Sequence, residues 1–494
     1  MKPGQIVEQV RVEDPAEELP QSGVGLQAAT ALIHHPYQPP AGFDALPPGV
    51  FKASTVFFPN VAALRARQWK DKSGYTYGLH GTPTTFTLEE RLASLEGGAH
   101  CLLCPSGLSA LALVNLAFLQ AGDEVLLPDN AYGPSKELAL AELRAYGISH
   151  RVYDPMQPAD LAAQIGPATR LVWLEVPGSV TLEYPDLPAL MQVLQAANAA
   201  RAGQGSGQGC GGSSGLAGGR GGDQATAATQ HSLAAAPPRP ILSALDHTWG
   251  AGIAFCGFDF GVDVVLQALT KYPSGGADVL MGSVVTRAAA LHRQLLHTHM
   301  RLGLGVGAND AELVLRGLHT LHLRYRAQDA TTRTLAHWLQ GQRGVAQVLH
   351  PALPGSPGHA HWQRDAHGAA CLLSLLWQPH IRPEQIDAFC DRLRLFRIGY
   401  SWGGPVSLCV PYDLPAMRSR TWPRRPRPSE PLRPAQAGPV GHAPALSGLV
   451  PKAQQADQAD QEAHYGPRLV RLAIGLENVA DLQADLAQAL AALD

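Results

Sequence analysis

Two short apolar runs, each leading to a charged residue, most constrain the fold of this chain. ILSAL leads directly to Asp246, and VDVVLQAL is followed two positions later by Lys271. Continuous apolar runs of this length are typical of parallel strands that are covered on both faces. The two charged residues are 25 positions apart, which suits one strand–crossover–strand unit. A right-handed crossover brings the carboxyl ends of both strands to one edge of the sheet, where open α/β sheets bind ligands.

This pair of charges has two interpretations. A lysine at the end of a buried strand with a carboxylate beside it suits a pyridoxal phosphate (PLP) site. There the lysine forms a Schiff base with the aldehyde, and the carboxylate keeps the pyridine nitrogen protonated. An ordinary buried ion pair would use the same residue types. Asp246 and Lys271 alone do not distinguish between these interpretations.

The composition limits the classes of partner. Of the 494 residues, 45% are apolar and 16% are charged, as in a globular protein with room for two or three domains. A net charge of −3 gives no electrostatic reason to expect nucleic acid or an anionic membrane as a partner. No apolar run approaches the roughly 18 residues that span a bilayer. The polar, acidic N-terminus resembles neither a secretory signal nor a transit peptide. We therefore expect a cytoplasmic protein.

The seven cysteines are scattered and stand mostly in apolar segments, which predicts reduced thiols. Cys101 and Cys104 form the one close pair. No second pair completes a metal site, and the surrounding pattern is an apolar strand, so we predict core packing and no metal centre. Cys210 stands in a Gly-rich segment and is expected to be exposed and without a function.

Strand and helix patterns alternate through the chain, which is typical of a doubly wound, mostly parallel sheet with helices on both faces. Residues 1–81 lack a sustained pattern and are interpreted as an arm that contacts another subunit. We predict a cofactor-binding domain over 82–316 and a smaller α/β domain over 317–494. Residues 199–237 and 414–464 are predicted to be disordered insertions, because Gly-, Ser- or Pro-rich segments with few large apolar side chains cannot offset the entropy of ordering.

The segment CLLCPSGLSALALVNLAFL predicts a short strand, a Ser-Gly turn and an apolar helix. Such a turn offers the backbone N–H groups of a helix N-terminus to a phosphate. The signal is weak on its own, because many α/β loops share it. The helix before this strand is predicted to be capped by Thr84 or Thr85 and ended by Gly97.

Taken together, the motifs of this chain resemble the Cys/Met-metabolism family of PLP enzymes, whose fold is the PLP-dependent transferase fold type I. The resemblance is strongest to the bacterial cystathionine β-lyase branch and covers most of the chain apart from the two insertions. The motifs that carry it, in family order, are YGLHGTPTTFTLEERLASLEGG, PSGLSAL, PDNAYGPS, ALDHTWGAG, QALTKYPSGGADVLMGS, YSWGG and RLAIGLE.

The resemblance implies roles for the matching positions. Lys271 would carry the cofactor and later the proton, and Asp246 would bind the ring nitrogen through a charge-assisted hydrogen bond. Arg471 would bind the substrate α-carboxylate, a task that suits a planar guanidinium. Tyr132, with a catalytic role, would stack on the cofactor ring, and Ser401 and Trp402 would line the substrate pocket. The phosphate would be bound by Gly107, Leu108 and Thr270, and by catalytic Tyr77 of the neighbouring subunit.

Two of these assignments have a close competitor in the sequence. If RLVRLAI is a strand, Arg468 and Arg471 point to opposite faces, so only one of them reaches the site, and the motif match favours Arg471. Tyr75 and Tyr77 share one face of an extended chain. The match favours Tyr77 there and leaves Tyr75 for packing.

The chain departs from the family pattern at two phosphate contacts. Leu79 stands where an arginine usually binds the phosphate from across the subunit interface. His80 follows it and is a weaker partner, because an imidazole is mostly neutral near pH 7. Ala268 stands where a serine is common. We therefore predict that PLP is bound less tightly than in typical members.

The implied reaction is the α,β-elimination of L-cystathionine to homocysteine, pyruvate and ammonia, a step of methionine biosynthesis. Trp249 and Trp402 favour it over the γ-lyase and γ-synthase reactions, whose enzymes usually carry other residues at both positions. The same motifs would also suit a cysteine or cystine desulfhydrase, or a non-catalytic PLP-binding regulatory protein. The resemblance further implies a homotetramer built from two dimers.

Overall fold

A computed structural model of the chain describes residue 30 and residues 49–206, 239–418 and 468–493, which form two sheets with helices around them. The strands of the larger sheet are β1 His100–Cys104, β2 Glu124–Pro128, β3 Ser149–Tyr153, β4 Thr169–Glu175, β5 Leu242–Asp246, β6 Val264–Ala268 and β7 Gly282–Thr286. The strands of the smaller sheet are β8 Val345–Leu349, β9 Leu372–Trp377, β10 Arg397–Ile398, β11 Leu408–Asp413 and β12 Arg468–Ala473.

The larger sheet has the strand order β1-β7-β6-β5-β4-β2-β3. Strands β2 to β6 pair in parallel, and β7 is antiparallel to both of its neighbours. Every strand except β7 therefore runs in the same direction, which confirms the predicted mostly parallel sheet. β5 and β6 are parallel neighbours, as the spacing of Asp246 and Lys271 predicted. The smaller sheet, ordered β10-β11-β12-β9-β8, is antiparallel except between β10 and β11.

Helices cover both faces of the larger sheet. The α-helices within the described residues are α1 Val61–Ala66, α2 Pro83–Glu96, α3 Gly107–Phe118, α4 Gly133–Leu138, α5 Pro158–Gln164, α6 Leu187–Ser206, α7 Ala289–Leu302, α8 Ala308–Leu339, α9 His359–Asp365, α10 Pro383–Arg392, α11 Leu414–Met417 and α12 Val479–Leu490. Successive strand residues alternate between two apolar cores. In β5, Leu245 packs into the core that contains residues of α2, α6 and α8, whereas Ala244 packs into the core that contains α3.

Helix α2 begins earlier than the sequence predicted. Its N-cap is Thr82, whose hydroxyl accepts a hydrogen bond from the N–H of Thr85 at 3.3 Å, while the Thr85 hydroxyl accepts one from the N–H of Thr82 at 2.8 Å. Pro83 occupies the first helical position, where its missing N–H costs nothing. The prediction of Thr84 or Thr85 as the cap was wrong because this reciprocal pair and the proline together move the start of the helix. Gly97 ends the helix in a left-handed conformation, as predicted.

Helix α8 belongs to the cores of both sheets. Its 32 residues bury Val314 and Leu321 against the larger sheet, and Leu335 and Leu339 against the smaller one. The domain boundary proposed at residues 316 and 317 falls inside this helix. The division of the chain into domains therefore stays a prediction.

The two predicted insertions are only partly described. Residues 199–206 belong to α6, and residues 414–418 comprise α11 and the partly buried Arg418. Both stretches are ordered because they continue from elements packed on the sheets, so the predicted insertions begin too early. Residues 207–237 and 419–464 lie outside the described residues, as does Cys210.

The described cysteines are free thiols, which agrees with the predicted reduced state. Cys101 and Cys104 are buried in β1, which confirms the predicted core packing. Among the helices that the structure describes, none is both long enough and apolar enough to cross a membrane.

Candidate active site

Charged and polar residues meet at the carboxyl edge of the larger sheet. Asp246 ends β5 directly beside Glu175, which ends β4, and the two residues are register partners. Lys271 lies three residues after the end of β6. Its backbone N–H donates to the carbonyl of Ala268 at 3.2 Å, which closes a turn at this point. The edge of the sheet thus collects Asp246 and Lys271, as the apolar runs predicted, and also the Glu175 carboxylate, which that argument did not include.

Asp246 is fixed by a residue that the sequence analysis missed. The N–H and the hydroxyl of Thr248 both donate to Oδ1 of Asp246, at 3.0 and 2.6 Å. The Thr248 hydroxyl in turn accepts the N–H of Ala268 at 2.9 Å. Burial raises the pKa of Asp246, while the Thr248 bonds and the charge of Lys271 oppose that rise. Within the described residues Oδ2 makes no hydrogen bond, so it can accept one from a protonated ring nitrogen.

Lys271 points at the loop that follows β10. Its Nζ donates to the Ser401 hydroxyl at 2.9 Å and lies 5.6 Å above the ring of Trp402. Burial first, and then the nearby Arg471, lower the pKa of Lys271 from 10.5 to about 8. More of this amine is therefore neutral near neutral pH than in an exposed lysine, which favours its use as a base. Ser401 has a φ of 123°, a strained conformation for a residue with a side chain.

Arg471 lies on β12 and reaches the same space. It is 6% exposed, and its Nη2 donates to the Ser401 carbonyl at 3.4 Å. The guanidinium lies 5.4 Å from the ring centre of Tyr412. Its Nε is buried without a hydrogen-bond partner among the described residues. Such an orphaned donor suits an anionic ligand, because an unpaired buried polar group is costly.

Arg468 takes the opposite face of β12, as the strand spacing predicted. It pairs with Asp387 on α10, and both side chains are at least one-third exposed. This ion pair lies away from Lys271 and Ser401.

Tyr132 lies near the two carboxylates and Arg471. Its N–H donates to Glu175 at 2.8 Å, and its side chain is half exposed. Burial, followed by the charges of Asp246 and Glu175, raises the pKa of the Tyr132 phenol. This places an open aromatic face beside Asp246, which could cover a flat heterocycle.

The start of α3 has the geometry of the anion site that the sequence predicts. Ser106 caps the helix, and the first N–H groups, those of Gly107 and Leu108, have no acceptor within the helix. A side chain on Gly107 would place its Cβ 2.7 Å from the Cβ of Ala268, so only glycine fits between α3 and β6. The Thr270 hydroxyl accepts the N–H of Met281 at 3.2 Å. It therefore already has one partner.

Tyr77 is a predicted site residue that does not lie beside Lys271 and Asp246 within a single chain. It forms a backbone bridge with Thr55, its ring lies 6.0 Å from that of His80, and its side chain is half exposed. Tyr75 stacks on Phe86 instead. A role for Tyr77 at Lys271 would require a second copy of the chain.

Helix α8 supports both loops that face the ligand space. Arg324 donates to the carbonyl of Tyr272, next to Lys271, and Gln328 donates to the carbonyl of Gly404, each at 2.8 Å. The sequence analysis missed these residues, and also Tyr412, because no local pattern marks a side chain that acts on a distant loop.

These features fit the PLP that the sequence predicts. The carboxylate for a ring nitrogen, the amine for an aldehyde, the aromatic face and the helix N-terminus for a phosphate all lie at one sheet edge. The orphaned Nε of Arg471 adds a site for a carboxylate. An ordinary buried ion pair would leave that donor and the constraint on Gly107 unexplained.

Comparison with known proteins identifies the kind of enzyme this chain resembles. Residues 29–202 and 227–420 match the family described as Cys/Met metabolism PLP-dependent enzyme. The chain is 34% identical to the cystathionine beta-lyase of Bordetella avium, over 93% of this chain and 96% of that protein. It is 32% identical to the cystathionine beta-lyase of Escherichia coli K12, over 88% and 91%.

A solved structure shows the same fold. The cystathionine gamma synthase of Xanthomonas oryzae pv. oryzae, crystallised in complex with aminoacrylate and cysteine, is 27% identical. The match covers 95% of this chain and 99% of that one, with a TM-score of 0.72. The expected fold type is therefore confirmed.

Proposed function

The chain belongs to the Cys/Met metabolism PLP-dependent enzymes, and we propose that it catalyses the α,β-elimination of L-cystathionine to homocysteine, pyruvate and ammonia. The family makes it a PLP-dependent enzyme of cysteine and methionine metabolism. The observation that carries the proposed reaction is the group around Lys271. A partly neutral amine, a strained serine and a buried arginine with a free donor share one space.

The chain's own residues would bind the cofactor as follows. Asp246 Oδ2 would bind the ring nitrogen, Lys271 the aldehyde, and Tyr132 one face of the ring. Gly107, Leu108 and Thr270 would bind the phosphate, with Tyr77 of a second copy. When bound, pyridoxal phosphate supplies a ring that takes up the negative charge formed at the substrate Cα.

Arg471 and Lys271 would do the work on the substrate. Arg471 binds the α-carboxylate through Nε and Nη2, which fixes the Cα–H bond relative to the amine. Lys271 Nζ then takes the Cα proton, with Ser401 Oγ orienting the amine. The Cβ–S bond breaks, and the sulfur leaves and gains a proton as homocysteine. Water converts the remaining three-carbon fragment to pyruvate and ammonia.

The aromatic residues support β-elimination over γ-chemistry. The Trp402 ring lies 5.6 Å from Lys271 Nζ and so would border the bound substrate, whereas Trp249 is buried against Tyr184. Of the two tryptophans, Trp402 therefore carries this argument. The similarity to a gamma synthase structure keeps γ-elimination and γ-replacement as the second candidate.

Product analysis separates the two candidates. Incubation with L-cystathionine should release pyruvate and homocysteine, whereas 2-oxobutyrate would overturn the proposed reaction. Cystine and other thioether amino acids, tested in the same assay, would reveal a desulfhydrase. Arg471→Met should raise KM by about 100-fold, because a bidentate charge contact is lost. Arg468→Met is the matched control and should leave KM within twofold.

We also propose a cytoplasmic homotetramer in which Tyr77 completes the site of a neighbouring subunit. Half-exposed Tyr77, with the exposed apolar side chains Phe57 and Val61 of the same arm, supports such an interface. Refolding a mixture of Tyr77→Ala and Lys271→Ala chains tests it. Hybrid dimers would contain one complete site and regain activity. A mixture as inactive as either parent contradicts the proposal, and sedimentation gives the number of subunits.

A further inference from the structure

Arg418 forms a dense set of ion pairs and hydrogen bonds outside the site described above. It follows α11, at the end of a described segment, and its side chain is only 7% exposed. Its Nε pairs with Asp129 at 3.1 Å, its Nη2 pairs with Glu183 at 2.6 Å, and its Nη1 donates to the Thr181 hydroxyl at 3.0 Å. All three partners follow strands of the larger sheet and stand more than 200 positions earlier in the chain.

Asp129 connects Arg418 with the loop of Tyr132. It directly follows β2 and stands three residues before Tyr132. A second cation reinforces this connection, because Lys136 of α4 donates both to the carbonyl of Asp129 and to the carbonyl of Met417, each at 2.9 Å. Residues 417 and 418 thus hold both ends of the loop that presents the Tyr132 ring.

Thr181 and Glu183 connect Arg418 with the loop that follows Glu175. In this loop Val180 and Leu182 have φ values of 68° and 57°, which are unfavourable for residues with branched side chains. Backbone strain of this kind persists only where surrounding contacts over-determine the conformation. Arg418 bonds to the residue between the two strained positions and to the residue after them.

We propose that Arg418 is a positioning residue of the active site, which fixes the Tyr132 loop and the loop after Glu175 relative to β11 and the smaller sheet. Its effect on catalysis rests on the proposed function, in which Tyr132 covers the cofactor ring. A buried guanidinium with two buried carboxylates could instead serve stability alone. The two roles differ in what they do to the folded enzyme.

Steady-state kinetics of the PLP-loaded enzyme distinguish them. Arg418→Met should lower kcat/KM for L-cystathionine and weaken PLP binding, each by 10- to 100-fold, because loop shifts near 1 Å cost about that much. Arg418→Lys should lie between this variant and the wild type, since it keeps the charge but not the fork. Arg468→Met, which loses an exposed ion pair, is the control and should change neither quantity beyond twofold.

A double-mutant cycle with Tyr132→Ala tests the route of the effect. If Arg418 acts through Tyr132, the double variant should lose no more than about threefold beyond Tyr132→Ala alone. Losses that multiply, or an Arg418→Met enzyme with wild-type kinetics, overturn the proposal.

Hydrogen exchange measures the mobility of the loops directly and does not depend on the identity of the substrate. It is applied to Arg418→Lys, so it also does not depend on whether Arg418→Met folds. In Arg418→Lys, amides of residues 128–136 and 176–184 should exchange at least tenfold faster, while those of β8 and β9 stay unchanged. Unchanged or uniformly faster exchange overturns the positioning role whatever the substrate is. Faster exchange in these loops of Arg418→Lys, together with a wild-type enzyme that does not turn over cystathionine, would support the positioning role and refute the proposed reaction.

Discussion

Gly107 gives the sharpest test of the predicted phosphate site. It is the first residue of α3, and its missing side chain lets the helix approach β6. In Gly107→Ala the new Cβ would lie 2.7 Å from the Cβ of Ala268 and 3.3 Å from its Cα. Carbon atoms pack at about 3.5 Å or more, so the helix start or the strand must move by about 0.8 Å.

A movement of this size should be costly for the cofactor. Overpacking a tight contact costs about 1–3 kcal/mol, and each 1.4 kcal/mol is a factor of about ten in affinity. We therefore expect Gly107→Ala to raise the PLP dissociation constant by about 5- to 150-fold. Titration of cofactor-free protein with PLP, followed by the visible absorbance of the bound cofactor, measures it.

Gly133 is the matched control for this substitution. It is the first residue of α4, next to Tyr132, and a Cβ there would meet nothing within 4 Å. Gly133→Ala should therefore bind PLP as the wild type does. Its free energy of unfolding should be unchanged or slightly higher, because alanine reduces the conformational entropy of the unfolded chain. If both variants bind PLP equally well, the phosphate does not lie at the start of α3 and the reasoning fails.

Three further predictions concern Lys271, Tyr412 and Leu79. Without PLP, Lys271→Met should be more stable towards unfolding than the wild type by up to about 3 kcal/mol below pH 8. The reason is that burial lowers the pKa of Lys271 from 10.5 to about 8, so that protonating this amine costs free energy in the folded state but not in the unfolded state. Urea unfolding should show the difference shrinking as pH rises from about 8 to 10.5, and a difference that stays constant contradicts it. Tyr412→Leu should raise KM for cystathionine about three- to thirtyfold with a smaller change in kcat, since the aromatic face near Arg471 is lost; Tyr412→Phe keeps the face and should match the wild type. Leu79→Arg should lower the PLP dissociation constant by restoring a cation near the phosphate of the neighbouring site, whereas Leu64→Arg, on the exposed α1, should not; equal constants for all three proteins refute the prediction.

The sequence was sufficient where chemistry and chain direction coincide. Apolar runs marked β5 and β6, and parallel strands bring their carboxyl ends together, so Asp246 and Lys271 could be placed at one edge before the structure was known. The spacing of Arg468 and Arg471 likewise predicted which faces of β12 they occupy, because side chains alternate along a strand.

The sequence was insufficient where a contact joins distant segments. Arg418 and Asp129 are 289 positions apart, and Arg418 stands in a stretch whose composition suggested disorder. Tyr412 also carries no local signal, because its importance comes from the arginine that its ring contacts. A cue was present for Thr248, since a Thr two positions after an Asp often bonds back to it.

Helix α8 limits how molecules can enter and leave this enzyme. Hinge closure between two halves of a protein needs a few residues that absorb a change of backbone angles. Here a continuous helix of 32 residues, about 48 Å long at 1.5 Å per residue, crosses from one core to the other and holds both ligand-facing loops through Arg324 and Gln328. Swinging the sheets apart would bend that helix. We therefore expect substrate entry and product release to depend on small local movements, such as those around the largely exposed Tyr400, rather than on opening of the whole molecule.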